Sequence, residues 1–146
     1  MNHASGNKSV TKAAASVAAS ATHSHEIDTA GFKYASIDVI YSPFTATTAA
    51  YASVCKVQES DASGSGQADV TGLSITAGAG STTGANVGAV ARFNVDLRGR
   101  KRYLRIAVST ATATNDNVTV AAVATLSDLQ DAPNGTTGVA DQVVFV

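Results

Sequence analysis

The sequence predicts an all-β fold, an antiparallel β-sandwich, and three observations carry that prediction. Its apolar residues recur with a period of two, the pattern a half-buried strand needs because successive side chains leave opposite faces of the pleat. The composition leans on Ala, Ser, Thr, Gly and Val, with no Trp and aromatics at 5%. Thr and Val favour strands, and Gly-rich breaks separate one run from the next. Finally, 146 residues fit one domain that buries about two-thirds of its unfolded surface, so a core can form without staples.

The clearest element is residues 91–109 (ARFNVDLRGRKRYLRIAVS). Phe93, Val95 and Leu97 share one face, with Asn94 and Asp96 on the other. Leu104, Ile106 and Val108 then share a face, opposite Lys101, Tyr103 and Arg105. Between the runs, Gly99 is the residue that takes a positive φ without strain. The simplest reading is a pair of strands joined there.

Taken in order, residues 1–22 carry no hydrophobic periodicity. The Ala/Ser-rich part, 12–21, could be weakly helical when docked. A signal peptide is disfavoured because residues 13–19 (AAASVAA) lack Leu, Ile and Phe. Residues 1–25 are therefore expected to form an extended N-terminal arm, flexible or bound to a partner, with the sandwich domain over 26–146. The stretch His23-Ser24-His25-Glu26-Ile27-Asp28 puts two His on one side of an extended segment, where they could hold a divalent metal. The plainer reading is a polar lead into the first strand.

Residues 31–41 (GFKYASIDVIY) read as the first core strand, with Ile37, Val39 and Tyr41 on one face and Ser36 and Asp38 opposite. Pro43 ends it, since Pro cannot donate to a ladder. After a Thr/Ala connection at 45–50, residues 51–58 read as a strand that runs into the turn-forming 59–66 (ESDASGSG). Residues 69–75 are a short strand. The four glycines of 78–88 lack the Lys-Ser/Thr ending of a phosphate loop and read as a surface loop. Past the central pair, 110–117 is a turn whose Asn115-Asp116-Asn117 fits a hairpin tip. Residues 118–126 form a strand, 127–138 a loop holding Pro133-Asn134-Gly135, and 143–146 a closing apolar strand that must pair.

Several kinds of chemistry have no residues to carry them. The three histidines, His3, His23 and His25, all lie in the expected arm, and neither a Gly-x-Ser-x-Gly elbow nor a His-Glu-x-x-His motif is present. No enzymatic activity and no cofactor are expected. Asp38 and Asp96 could in principle act as a glycosidase carboxylate pair, but arginine neighbours make ion pairing the better expectation. Cys55 is the single cysteine and reads as a small buried residue. No apolar run reaches the roughly 18 residues of a membrane span, and the formal charge of −1 gives no bulk attraction to nucleic acid or membrane.

Charge is concentrated in one place. Arg92, Arg98, Arg100, Lys101, Arg102 and Arg105 are six of the chain's ten Lys and Arg. With few aromatics to stack bases, a nucleic-acid surface is disfavoured. Arg98, Arg100, Arg102 and Arg105, with Asp38 and Asp96, are the expected protein-interface residues, because guanidinium forks match carboxylates.

Four segments in order resemble a known family: 31–39 (GFKYASIDV), 56–61 (KVQESD), 69–72 (DVTG) and 92–105 (RFNVDLRGRKRYLR). Over roughly residues 26–126 the chain is similar to small head proteins of tailed bacteriophages, the cement or decoration proteins of the capsid. The resemblance implies a jelly-roll-like sandwich, a homotrimer over capsomer junctions, the major capsid protein as partner and a place on the virion surface. It carries no catalytic residues. The chain departs from the family in its long Ala/Ser arm and in lacking an aromatic before Asp69. The rival reading is a carbohydrate- or surface-binding sandwich, which would need Tyr34, Tyr41, Tyr51 and Tyr103 exposed around one groove.

Overall fold

The computed structural model describes residues 7–17, 21–42, 53–77, 89–110, 118–127 and 141–145. These form β1 (Asn7–Val17), β2 (Thr22–Asp28), β3 (Tyr34–Tyr41), β4 (Ser53–Ser60), β5 (Ala68–Ala77), β6 (Ala89–Asp96), β7 (Tyr103–Thr110), β8 (Val118–Ser127) and β9 (Asp141–Phe145). A five-stranded sheet runs β1-β8-β3-β6-β9 and a four-stranded sheet runs β2-β7-β4-β5, every pairing being antiparallel. The chain changes sheet at every connection from β1 to β8 except β4 to β5. That is jelly-roll winding, with β9 added beside β6.

The period-two pattern sets which side of each strand is buried. Ile37, Val39 and Tyr41 of β3, Ala91, Phe93 and Val95 of β6, and Val120, Ala122, Ala124 and Leu126 of β8 face inward from the larger sheet. They meet Ile27 of β2, Cys55 and Val57 of β4, Leu73 and Ile75 of β5, and Leu104, Ile106 and Val108 of β7 in one core. Small residues on the interior strand β8, Ala122 and Ala124, let the two layers approach while Phe93 fills the space between them.

β5 breaks its ladder with β4. The register steps from Lys56↔Ser74 to Gln58↔Asp69, so β5 carries three more residues than its partner there. Gly72 absorbs the excess at φ 83°, a left-handed conformation that costs other residues, and Val70 and Leu73 both reach the core. Gly99 has φ 86°, as its turn requires.

The two strands expected on either side of Gly99 are present as β6 and β7, and they do not pair with each other: β6 pairs with β3 and β9, β7 pairs with β2 and β4, and the Gly99 turn crosses between sheets. Alternation identifies a strand and its buried face but not its hydrogen-bonded neighbour. Within the N-terminal stretch 1–25, residues 7–17 form edge strand β1 on β8, and β2 begins at Thr22. Backbone pairing makes this strand without a buried face: only Val17 is buried, and Val10 and Ala15 are half-buried. The expected features at 45–50, 78–88, 111–117 and 128–138 lie outside the described residues.

Candidate functional site

Three turns meet at one end of the sandwich. β2 ends and β3 begins there around residues 29–33, β4 passes to β5 through 61–67, and β6 passes to β7 through 97–102. Backbone bonds lock the turns together. Thr29 N–H and its buried hydroxyl both donate to Arg102 O (3.0 and 2.6 Å), Leu97 N–H donates to Lys33 O (2.8 Å), and Lys33 N–H donates to Ser127 O (3.1 Å). The buried Ser60 hydroxyl braces the 61–67 turn against the carbonyls of Ala62 and Ser65.

On this frame sits a rim of ion pairs. Arg98 forks Asp96 through Nε (3.0 Å) and Nη2 (2.7 Å) and lies 5.3 Å over the buried Tyr34 ring. Arg102 forks Asp28 through Nε (2.9 Å) and Nη2 (2.8 Å) and lies 5.0 Å over Tyr103. Arg100 stands 3.6 Å from Glu59, and Lys101 is 2.8 Å from Asp61. Arg102 and the Ala30 N–H together hold Asp28 down at about 2, well below the usual carboxylate value, and Arg98 likewise holds Asp96 low. The rim therefore presents paired charge rather than surplus positive charge.

A second polar row crosses the outer face of the four-stranded sheet, where register aligns Glu26, Arg105, Gln58 and Asp69. Arg105 donates to Gln58 Oε1 from Nε (2.8 Å), Gln58 Nε2 donates to Asp69 (2.7 Å), and Lys56 closes the row on Asp69 (2.8 Å). Glu26 accepts from the Ser63 hydroxyl (2.6 Å) and the Gly64 N–H (2.8 Å), which lower its pKa.

The structure thus gathers Arg98, Arg100, Arg102 and Asp96 at one end, with Arg105 on the adjoining sheet face. Asp38 lies apart, on the outer face of β3, where Arg92 forks it at 2.6 and 2.8 Å. Asp96 is opposite Tyr34, four residues along the ladder from Asp38. That is about 13 Å of strand rise, beyond the roughly 5–9.5 Å of a glycosidase pair. The sequence reading missed Asp28, Glu59 and Asp61 as partners of the basic turn. The signal was there, in an acidic turn and an acidic strand end beside a basic one.

The remaining candidates settle simply. His23 and His25 do share one side of β2, but Glu26 and Asp28 point to the other and are engaged elsewhere. Among the described residues no three His, Cys, Asp or Glu gather in a metal-binding group. Cys55 is fully buried, and burial pushes its thiol up to about 12. Tyr34 and Tyr41 are buried, Tyr103 is half-buried under Arg102, and Tyr51 lies outside the described residues, so no tyrosine platform forms among those described. No described helix is long and apolar enough to cross a membrane.

What these observations define is a jelly-roll sandwich with a charge-paired rim at one end. Comparison of the chain with protein-family models, curated proteins and solved structures finds no match.

Proposed function

We propose that this chain is a structural protein of a tailed-phage virion, a cement protein that sits on the capsid surface, binds the major capsid protein across capsomer junctions and works as a homotrimer. One observation carries the reading. Three of the four segments that bear the family resemblance meet at the rim end, where Leu97 bonds Lys33, Arg100 faces Glu59 and Lys101 faces Asp61, and the fourth joins on the adjoining sheet face through Asp69 and Gln58. The same segments supply core residues such as Ile37, Phe93 and Leu104, and their polar residues lie where a shared docking face would need them.

The rim geometry suits such a role. Arg98 and Arg102 each use the Nε–Nη2 edge on their own carboxylate, with the side chains 55% exposed. Their bonds among the described residues leave Nη1 to reach a carboxylate of a partner. Because the fold already fixes these guanidinium groups, little rotamer entropy is lost on contact. Surface buried across a capsomer boundary stabilises the intact shell over separated capsomers, since binding favours the state that binds.

The test is to add the purified protein to phage heads lacking it. Saturable binding and a raised temperature of head disruption are expected, with both reduced in Arg98→Ala/Arg102→Ala. Heads that bind none of the wild-type protein would refute the proposal. Light scattering tests the trimer, and a stable monomer at micromolar concentration would overturn a preformed one.

A further inference from the structure

Two histidines occupy positions on β2 where a sandwich strand would carry aliphatic residues. His23, His25 and Ile27 alternate on the inner side, and register sets His23 against Val108 and His25 against Ile106. Both residues are half-buried, and the Nε2 atoms of both rings are shut off from solvent with no hydrogen-bond partner among the described residues. An imidazole so placed is tolerable when neutral and costly when charged.

The charged groups around the pair offer it no relief. From β1, which edges the facing sheet, Lys12 acts on His25, and Lys8, four residues earlier on the same strand, acts on Asp28. β8, which carries β1, has no titratable residue from Val118 to Ser127. On β2 itself Glu26 is held by Ser63 and Gly64, and Asp28 is forked by Arg102. On β7, Arg105 and Tyr103 alternate with the buried Leu104 and Ile106 and lie on the outer side. Glu59, which register places on the inner side opposite Leu104, is engaged at the rim by Arg100 and the Lys101 N–H, and no other carboxylate of these strands among the described residues faces the rings.

β1 is also an edge strand held by its backbone ladder with little buried side chain. Eight of its eleven residues are exposed, its ladder shifts register between Lys12 and Ala15, and Val17 is its one buried side chain. Only residues 18–21 separate it from β2. Short connections of this kind are where strand exchange occurs.

We propose that mild acid releases β1 from β8 and that the freed β8 edge takes β1 of a second copy. Charging the His25 ring sets it against Lys12 across the gap between the edge strands and against its neighbour His23. An uncovered β8 edge is a row of unpaired N–H and C=O groups that recruits a strand. The sequence shown to fit that edge, with Val10 and Val17 against the core, is β1 itself. A net charge of −1 raises little barrier to pairing with a second copy. The sign agrees: burial first, then Lys12 and His23, lower the His25 pKa below 6.5. Its neutral form therefore favours the closed strand above 6.5, and that stability is lost as pH falls through the lowered value.

Ser9 and Thr125 are exposed register partners on β1 and β8, so a Ser9→Cys/Thr125→Cys disulfide reports whose β1 lies on whose β8. The protein is held at about pH 7.5 or about pH 5, returned to neutral pH, oxidised and run on a non-reducing gel. The expected result is intrachain closure from the neutral sample and a several-fold larger covalent dimer fraction from the acid one. His23→Gln/His25→Gln in the same background should abolish the difference. An equal dimer fraction from both samples, or a pH effect that survives the double substitution, overturns the proposal. So does hydrogen exchange of the unmodified protein in which β1 amides are equally protected at both pH values, after correction for intrinsic rates.

Discussion

Replacing Phe93 by Ala tests the register on which the fold depends. Phe93 has no solvent exposure and heads the fully buried side chains by volume. It stands on β6 opposite Ile37, itself fully buried, which in turn faces the small Ala124 on β8. Truncating a buried Phe to Ala costs about 3–5 kcal/mol, because lost transfer energy and a residual cavity add. Against a total stability of about 5–15 kcal/mol, that lowers Tm by roughly 6–20 °C at about 2–4 °C per kcal/mol for a chain this size. Arg92→Ala is the control: its side chain is on the outer face in an exposed pair with Asp38, worth at most about 1 kcal/mol. Urea denaturation at matched protein concentration gives both values, and concentration must match because self-association would add to apparent stability. A slip of one residue in β6 would exchange the two faces. A cost for Phe93→Ala under about 1 kcal/mol, or one no larger than that of Arg92→Ala, would refute the assigned register.

Three further outcomes are expected. Gly72→Ala should cost about 1–2 kcal/mol, entirely through the backbone, because a Cβ there meets nothing within 4 Å; a shift in urea midpoint without a change in slope reads this out, and no shift would mean the β5 irregularity is misplaced. Asp28, held at about 2 against an ordinary 3.8, supplies stability that is present above 3.8 and lost as pH falls through about 2. Because the pair is exposed, screening keeps this under about 1 kcal/mol, and Asp28→Asn should remove that acid dependence in thermal melts at pH values spanning the range. Cys55, with a pKa of about 12, has only about 10⁻⁵ of its thiol ionised at pH 7; an aromatic disulfide reagent should label it in denaturant and not in the folded protein, and fast native labelling would place it outside the core.

How far the sequence could be read depended on whether the informative pattern was local. The buried faces of β3, β6, β7 and β8 were legible because alternation is written in consecutive residues, and Ile37, Phe93, Ile106 and Leu126 all lie inside as that alternation requires. Partners were not legible, since pairing is decided by sheet geometry over long separations, as with Asp38 and Arg92 or Asp28 and Arg102. β1 escaped notice for a related reason. Its register is fixed by backbone bonds to β8 rather than by buried side chains, so its sequence carries no periodic signal. At the rim, the basic cluster stood out on composition, but the carboxylates that pair with Arg100, Lys101 and Arg102 came from two other stretches, 59–61 and the end of β2.

The crossing at Gly99 explains why that rim is a good docking surface. Had β6 and β7 formed a hairpin, the turn between them would have touched one sheet. Instead it spans both, and its contacts divide accordingly. Asp96 and the Lys33 carbonyl belong to the side of the five-stranded sheet, while Asp28, Glu59 and the buried Thr29 belong to the side of the four-stranded one. The spacing between Arg98 and Arg102 is therefore set by how the two sheets pack, through a core that holds Phe93 against the facing layer. Loosening that packing would shift the guanidinium groups relative to one another without touching either of them. A partial core substitution such as Phe93→Leu should consequently weaken binding at the rim more than its modest cost in stability implies, whereas Ile75→Val, far along β5 from the rim, should cost stability without that loss. Binding to heads measured for the two variants at temperatures well below both melting points separates these outcomes, and equal binding by both would show that the rim is set by its turns alone.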